Sequence, residues 1–240
     1  MRAVIFDLDG TLVNSLPGIA EALNNALAKH NLSTHPPDLV EHFIGNGSRV
    51  LVYRGIGGEP ADSLVDKVHE SFLSCYSESL ISGTHLYPGI RKLLETLHFD
   101  GMPLAVCSNK PHRYTMEIMT RMFSWVPWTM ILGQQKSVPV KPDPTGALSI
   151  ARAMQIPAAE IAFVGDSTVD FETAEAAGMQ PVLVEWGFSA IDDLNRTTAS
   201  IVSTTTDLRK FLRAPRGVSC GIPHARSPRR QTGADDRSST

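Results

Sequence analysis

Apolar residues follow two rhythms along this chain, and the change from one to the other divides it. Residues 2–6, RAVIF, are a short continuous apolar run of the kind a strand buried on both faces requires. Leu16, Ile19, Leu23, Ala26 and Leu27 then recur at helical spacing, with Asn14 or Ser15 placed to cap the helix they define. From there to about residue 87 no strand pattern emerges. Segments 37–44, 48–56 and 62–80 read as helices, the last with Val65, Val68, Phe72, Tyr76 and Leu80 on one face. Beyond YPG at 87–89 helix and strand alternate: helices over 90–98, 112–122, 144–154 and 168–177, strands over 103–107, 128–132, 160–164 and 181–185. A short strand in ASIVS and a helix at 207–212 complete the series. The alternation predicts an α/β fold with a Rossmann-like parallel-sheet core. That core is expected to be discontinuous, residues 1–14 and 88–213, with 15–87 inserted as a smaller helical domain.

From residue 214 the pattern stops. The stretch 214–240 is rich in Pro, Gly, Ser and Arg, has almost no apolar periodicity, and is expected to be a disordered tail. Its arginines read as a solvated tail and not as a nucleic-acid site, because no aromatic stacking residues accompany them. Composition changes little in this picture: 42% hydrophobic, 20% charged and a net charge of −3 suit a globular cytoplasmic chain without a polyanionic partner. No apolar run approaches the ~20 residues that span a bilayer, and the first strand leads straight into carboxylates, so neither a membrane anchor nor a leader is expected. Cys75, Cys107 and Cys220 are widely separated and lack CxxC spacing, and the histidines form no HxH or HExxH pattern, which argues against a disulfide framework or a zinc site.

The chemistry concentrates where an open parallel sheet binds ligands, at the carboxyl ends of its strands. The first strand ends in FDLDGT, placing Asp7 and Asp9 either side of one leucine; the second ends in Ser108 and Asn109; another, IAFVGD, ends in Asp166, with Asp170 one helical turn on. The loop VKPDP supplies Lys141. Carboxylates converging on one crevice require a cation, and hard oxygen ligands suit Mg²⁺. A calcium loop of the EF-hand type is excluded, because its sixth and twelfth positions would be Leu12 and Gly18 instead of Gly and Glu. With the phosphate charge neutralised by Mg²⁺ and Lys141, and Ser108 and backbone N–H groups bonding the transferring oxygens, one aspartate can attack phosphorus while the other moves protons.

These residues are also similar to the ordered motifs of haloacid-dehalogenase-superfamily phosphatases with a helical cap. DxDGT matches Asp7 to Thr11, the second-motif hydroxyl Ser108, the motif lysine Lys141, and GDxxxD Gly165, Asp166 and Asp170. The resemblance covers roughly residues 1–213. It implies that Asp7 is the nucleophile and a Mg²⁺ ligand, that Asp9 is the acid/base and ligates through its backbone carbonyl, that Asp166 is a ligand, and that Asp170 is a ligand or an anchor behind one. Ser108, Asn109 and Lys141 would hold the phosphate. GNG at 45–47, VLVYR at 50–54, LYPG at 86–89 and SNKP at 108–111 resemble phosphoglycolate phosphatases, which implies a small phosphorylated acid as substrate. Arg49 and Arg54 are then the candidates for gripping its carboxylate. Sugar-phosphate phosphatases and phosphomutases share the same aspartate pair. Where the relatives usually read DGTLVDS, this chain has Asn14, which removes a carboxylate near the hinge into the cap.

Overall fold

The computed structural model describes residues 1–214, so the expected tail, apart from Ala214, lies outside the described residues. Strand β1 (Ala3–Phe6) is followed by a tight turn, the two-residue strand β2 (Val13–Asn14) and four consecutive helices: α1 (Leu16–Lys29), α2 (Pro37–Glu41), α3 (Ser48–Ile56) and α4 (Asp62–Ser79). The chain returns through β3 (His85–Leu86) and then alternates: α5 (Ile90–Phe99), β4 (Leu104–Pro111), α6 (His112–Phe123), β5 (Met130–Gln134), α7 (Thr145–Met154), β6 (Ile161–Gly165), α8 (Thr168–Ala176), β7 (Gln180–Val184), α9 (Ile191–Leu194), β8 (Ser200–Val202) and α10 (Thr205–Arg213). Six strands form one parallel sheet in the order β5-β4-β1-β6-β7-β8. The chain leaves β1 toward β4 and β5 on one side and comes back to β6 on the other. The crevice of such a sheet opens where that order reverses, beside β1.

Every residue of β1 is buried, and alternate positions serve opposite faces. Val4 and Phe6 join the larger apolar cluster, which continues into α1 and α4; Ala3 and Ile5 face the smaller one, built with Ala147, Ile150 and Ala151 of α7 and Ala174 of α8. Two-sided burial explains why the strand has no polar alternation. The helix expected over 48–56 has those bounds, and the one expected over 62–80 ends at Ser79.

Several features depart from the sequence pattern: the helix expected over 37–44 ends at Glu41, the strand expected over 128–132 is β5 at Met130–Gln134, the short helix α9 has no sequence counterpart, and two further differences bear on the site. Val13 pairs with Leu86 and Asn14 with His85 in an antiparallel ribbon at the two crossings into and out of the helical segment, although no strand was expected near residue 85. Two residues are too short to show alternation. Asn14 lies in this ribbon and its Oδ1 accepts from Leu16 N at 3.1 Å; the N-cap residue itself, Ser15, makes no capping bond. The second strand of the sheet was expected to stop at residue 107, yet β4 continues to Pro111. Its register shifts between Cys107 and Pro111, an irregularity that re-aims the residues between them. Phe123 and Trp128 pack edge to face at 6.1 Å, and Trp125 and Trp128 each donate to a backbone carbonyl, so this aromatic group is structural.

Candidate active site

After β1 the backbone turns back on itself. The amides of Leu12 and Val13 both donate to Leu8 O, at 3.0 and 3.1 Å, and Gly10 N donates to Val13 O at 2.9 Å. Leu8 is fully buried, which leaves the aspartates on either side of it lining the cleft. Gly10 has φ +80°, and a Cβ there would lie 2.2 Å from Asp166 Oδ2, so both the turn and the neighbouring carboxylate require glycine.

Across the sheet's point of reversal, the loop after β6 delivers Asp166, whose Oδ2 accepts from Phe188 N at 2.7 Å and whose Oδ1 accepts from Thr11 Oγ1 at 3.4 Å. Asp170 forms a reciprocal capping box with Ser167 at the start of α8. Both its oxygens are engaged: Oδ2 accepts from the amides of Asp166 and Ser167 at 3.2 and 3.1 Å, and Oδ1 accepts from Lys141 Nζ at 2.6 Å. Lys141, from the loop between β5 and α7, also stands 2.9 Å from Asp7 Oδ1. One oxygen each of Asp7, Asp166 and Asp170 falls within 4.8 Å of the others.

The electrostatics of this cluster identify what it can hold. Burial pushes the Asp7 carboxyl up to about 7, against the pull of Lys141 and with the help of Asp170 and Asp9. Burial, then Asp170 and Asp7, raise Asp166 well above the ordinary carboxylate range. Asp7, Asp9, Asp166 and Asp170 face two buried ammoniums, Lys141 and Lys110, leaving negative charge in excess. Among the described residues, Asp7 Oδ1 is a buried side-chain oxygen without a hydrogen bond, with the Lys141 ammonium paired to it by charge at 2.9 Å. An unbonded buried acceptor amid surplus negative charge, with only oxygen donors around it, fits a hard divalent cation. Cys107 offers no competing nucleophile: burial pushes its thiol up to about 12.

A second ion pair lies at the other aspartate. Lys110 Nζ is 2.9 and 3.1 Å from the two oxygens of Asp9 and donates to the Tyr76 hydroxyl from α4, while Ser15 Oγ donates to Asp9 Oδ1 at 2.5 Å. Burial opposes the ammonium, but Asp9 and Tyr76 outweigh it and raise the Lys110 pKa. Burial pushes the Tyr76 hydroxyl up to about 12, which keeps it a neutral partner.

The remaining predicted residues divide. Ser108 lines the cleft and its Oγ accepts from Lys110 N at 3.3 Å. Asn109 also lines the cleft, and its side chain bonds backbone: Nδ2 donates to Gly45 O and Lys141 O, both at 3.0 Å, and Oδ1 accepts from Lys141 N at 2.8 Å. Its amide therefore ties the lysine loop and the 45–47 loop to the end of β4. Gly45, Gly47 and Ser48 line the cleft, as a loop facing the crevice should. The two arginines do not line it. Arg49 is exposed and paired with Asp62 and Asp66 on α4, at 2.8 and 2.9 Å, and Arg54 donates to Phe43 O and Asn46 Oδ1. Each guanidinium meets its partners within the helical segment itself, so the expected grip on a substrate carboxylate is not what these side chains make. Lys110, Tyr76 and the backbone amide of Phe188 were not singled out from sequence. A lysine directly after Ser108 and Asn109 was the one signal for Lys110; Tyr76 passed as an apolar helix face, and an amide has no side-chain signature.

Comparison with known proteins gives the chain its family. Residues 4–184 match the family described as haloacid dehalogenase-like hydrolase. A phosphoglycolate phosphatase of Haemophilus influenzae is 37% identical over 195 residues, 78% of this chain and 87% of that protein, and one from Pseudomonas fluorescens is 34% identical over 221 residues, 88% of this chain and 78% of that one. The crystal structure of a predicted phosphoglycolate phosphatase from Haemophilus somnus aligns with a TM-score of 0.81 at 31% identity, covering 88% of this chain and 97% of that one. Because the family match runs from β1 to the end of β7 and so contains Asp7, Asp9, Lys141, Asp166 and Asp170, the chain belongs to the haloacid dehalogenase-like hydrolase family.

Proposed function

We propose that the protein is a Mg²⁺-dependent cytoplasmic phosphatase that hydrolyses a small phosphomonoester, 2-phosphoglycolate, through an aspartyl-phosphate on Asp7. What carries the assignment is the meeting of Asp7, Asp166, Asp170 and Lys141 at one buried point beside β1, with Asp9 at the same edge of the cleft.

Asp7 is the nucleophile: its carboxylate attacks phosphorus and the ester oxygen leaves. Asp9 gives that oxygen a proton and then takes one from the water that cleaves the acyl phosphate. Lys141, fixed by Asp170, neutralises charge on the transferring oxygens, and Ser108 donates to one of them. Asp7 and Asp166, with the Asp9 backbone carbonyl, would hold Mg²⁺, and Asp170 would anchor the group from behind. The cation supplies charge neutralisation of the phosphate and of the carboxylates around it. The helical segment α1–α4 is the cap that shields the reaction from water.

Two observations support a small substrate. The relatives above are named phosphoglycolate phosphatases. The cleft encloses about 210 Å³, below the roughly 300–1,000 Å³ of sites for drug-sized ligands. Among the described residues no helix is long and apolar enough to cross a membrane. Phosphate release from a panel of phosphorylated acids, sugar phosphates and nucleotides, with Mg²⁺ present, tests the assignment. 2-Phosphoglycolate is expected to give the highest kcat/KM; a sugar phosphate exceeding it tenfold overturns the substrate, and release from none of them overturns the activity.

A further inference from the structure

The two arginines expected to grip a substrate carboxylate face Asp62, Asp66, Phe43 and Asn46, not the cleft. Among the described residues that line the cleft, Lys110 carries a permanent positive charge and His42 is an imidazole; Lys141, behind Asp7, is taken by the phosphate side of the site. The Lys110 side chain is 3% exposed, and its ammonium lies between Asp9 and the ring and hydroxyl of Tyr76, with Nζ 4.6 Å from the ring centroid.

We infer that Lys110 is the specificity-determining residue, taking substrates that carry a carboxylate on the carbon next to the ester oxygen. The inference rests on the phosphatase reading and narrows its substrate class. Asp9, as the proton donor, must sit within one hydrogen bond of the leaving oxygen. Lys110 Nζ sits one hydrogen bond from both oxygens of Asp9, at 2.9 and 3.1 Å. In 2-phosphoglycolate a single methylene separates the ester oxygen from the carboxylate, so a molecule whose ester oxygen meets Asp9 brings its carboxylate within reach of the same ammonium. A second anion several carbons away, as in a sugar bisphosphate, would overshoot it. Lysine suits this place because its three donors radiate from one point, so they can serve Asp9, Tyr76 and a substrate oxygen in turn without the fixed fork of a guanidinium. The register shift in β4 between Cys107 and Pro111 lies where Lys110 turns into the cleft. The contact also joins the sheet to α4 through Tyr76, so a carboxylate docked there touches both walls of the cleft.

The test compares 2-phosphoglycolate with ethyl phosphate, which has the same ester and a methyl group where the carboxylate was. With Mg²⁺ present, wild type is expected to prefer 2-phosphoglycolate in kcat/KM. Lys110→Met should cut that preference about ten- to a hundredfold, the range a hydrogen bond to a charged group supplies, and Lys110→Arg should restore part of it. A role confined to orienting Asp9 would depress both esters equally and leave the preference intact, which overturns the inference while the phosphatase reading stands. If wild type hydrolyses neither ester nor any other monoester, the phosphatase reading falls and the inference with it. Should Lys110→Met not fold, Tyr76→Phe keeps the ring and removes the hydroxyl that holds the ammonium. A several-fold loss of the preference is then expected, and an unaltered preference overturns the inference.

Discussion

As the proposed nucleophile, Asp7 would bring opposing demands together in one side chain: ionised to attack phosphorus, yet burial and the carboxylates of Asp170 and Asp9 hold its proton to about pH 7, with Lys141 pulling the other way. Replacing it with the near-isosteric asparagine separates the two demands. Asp7→Asn is expected to lower kcat by at least about a thousandfold, since a reaction split by a covalent intermediate loses its route when the nucleophile goes. The same change should raise the melting temperature of the metal-free protein at pH 8, because it removes a buried charge without disturbing Lys141, which keeps Asp170. A variant that retains several per cent of the wild-type rate, or that melts well below it, would contradict this account. The residues that sequence pattern and structure bring to the same place as Asp7 share a property: each is a polar or charged side chain in a motif at or beside a strand end, and that type and place disclose it. Asp9, Asp166, Asp170, Ser108 and Lys141 were read in that way. Lys110 was not, because a lysine next to a polar pair looks the same whether it points into a cleft or into water. Arg49 and Arg54 show the converse, since nothing in their own spacing reveals that Asp62, Asp66 and Asn46 occupy them.

At the scale of elements, the site is assembled from strand ends and loops whose contributions are mostly backbone. The loop after β7 packs against Asp166 so closely that a Cβ on Gly187 would lie 2.2 Å from the Asp166 Cβ, and it donates Phe188 N to Asp166 Oδ2. Gly187→Ala must therefore displace the carboxylate or the loop. The sheet should persist by circular dichroism while the Mg²⁺ concentration for half-maximal activity rises about ten- to a hundredfold, the usual cost of losing support behind a metal ligand. An unchanged Mg²⁺ requirement would mean that Asp166 does not depend on this loop. Asn109 plays a comparable part between loops, bonding the backbone of Lys141 and of Gly45. Asn109→Ala removes three hydrogen bonds at once and is expected to raise KM and lower kcat together, because the lysine loop and the cleft wall both lose their tie. A change in KM alone would place Asn109 on the substrate. The long elements could be read from sequence because burial on one or two faces imposes a period on ten or more residues. The β2/β3 ribbon could not, having two residues per strand, and neither could the extension of β4, where polar side chains continue an extended backbone past the end of its apolar run.

Over the whole molecule, the sheet order puts β1 between β4 and β6, so residues far apart in sequence bring their charges to a single point, and that concentration of charge couples folding, protons and the cation. Asp7 titrates near its ordinary value of 3.8 when unfolded and at about 7 when folded. Below 3.8 both states hold the proton and the site costs nothing. Between 3.8 and about 7 the unfolded chain has released a proton that the folded one retains, so stability falls as pH rises through this window and levels off above it. Asp166, also raised by burial and by its neighbours, adds to the loss in the same direction. A divalent cation held among these carboxylates would take the place of those protons, so its binding would release them and strengthen with pH. The rise in melting temperature produced by saturating Mg²⁺ over chelator is accordingly expected to be small at pH 5 and several degrees larger at pH 8. In Asp7→Asn the difference between the two pH values should shrink, because one of the protons in exchange is gone. Calcium should also stabilise, as its oxygen preference is the same, but support little turnover, because it takes more ligands at longer distances and would loosen the alignment of Asp7 with phosphorus. An Mg²⁺-induced shift of equal size at pH 5 and pH 8 would show that the cation binds somewhere other than among these carboxylates, whatever the activity measurements gave.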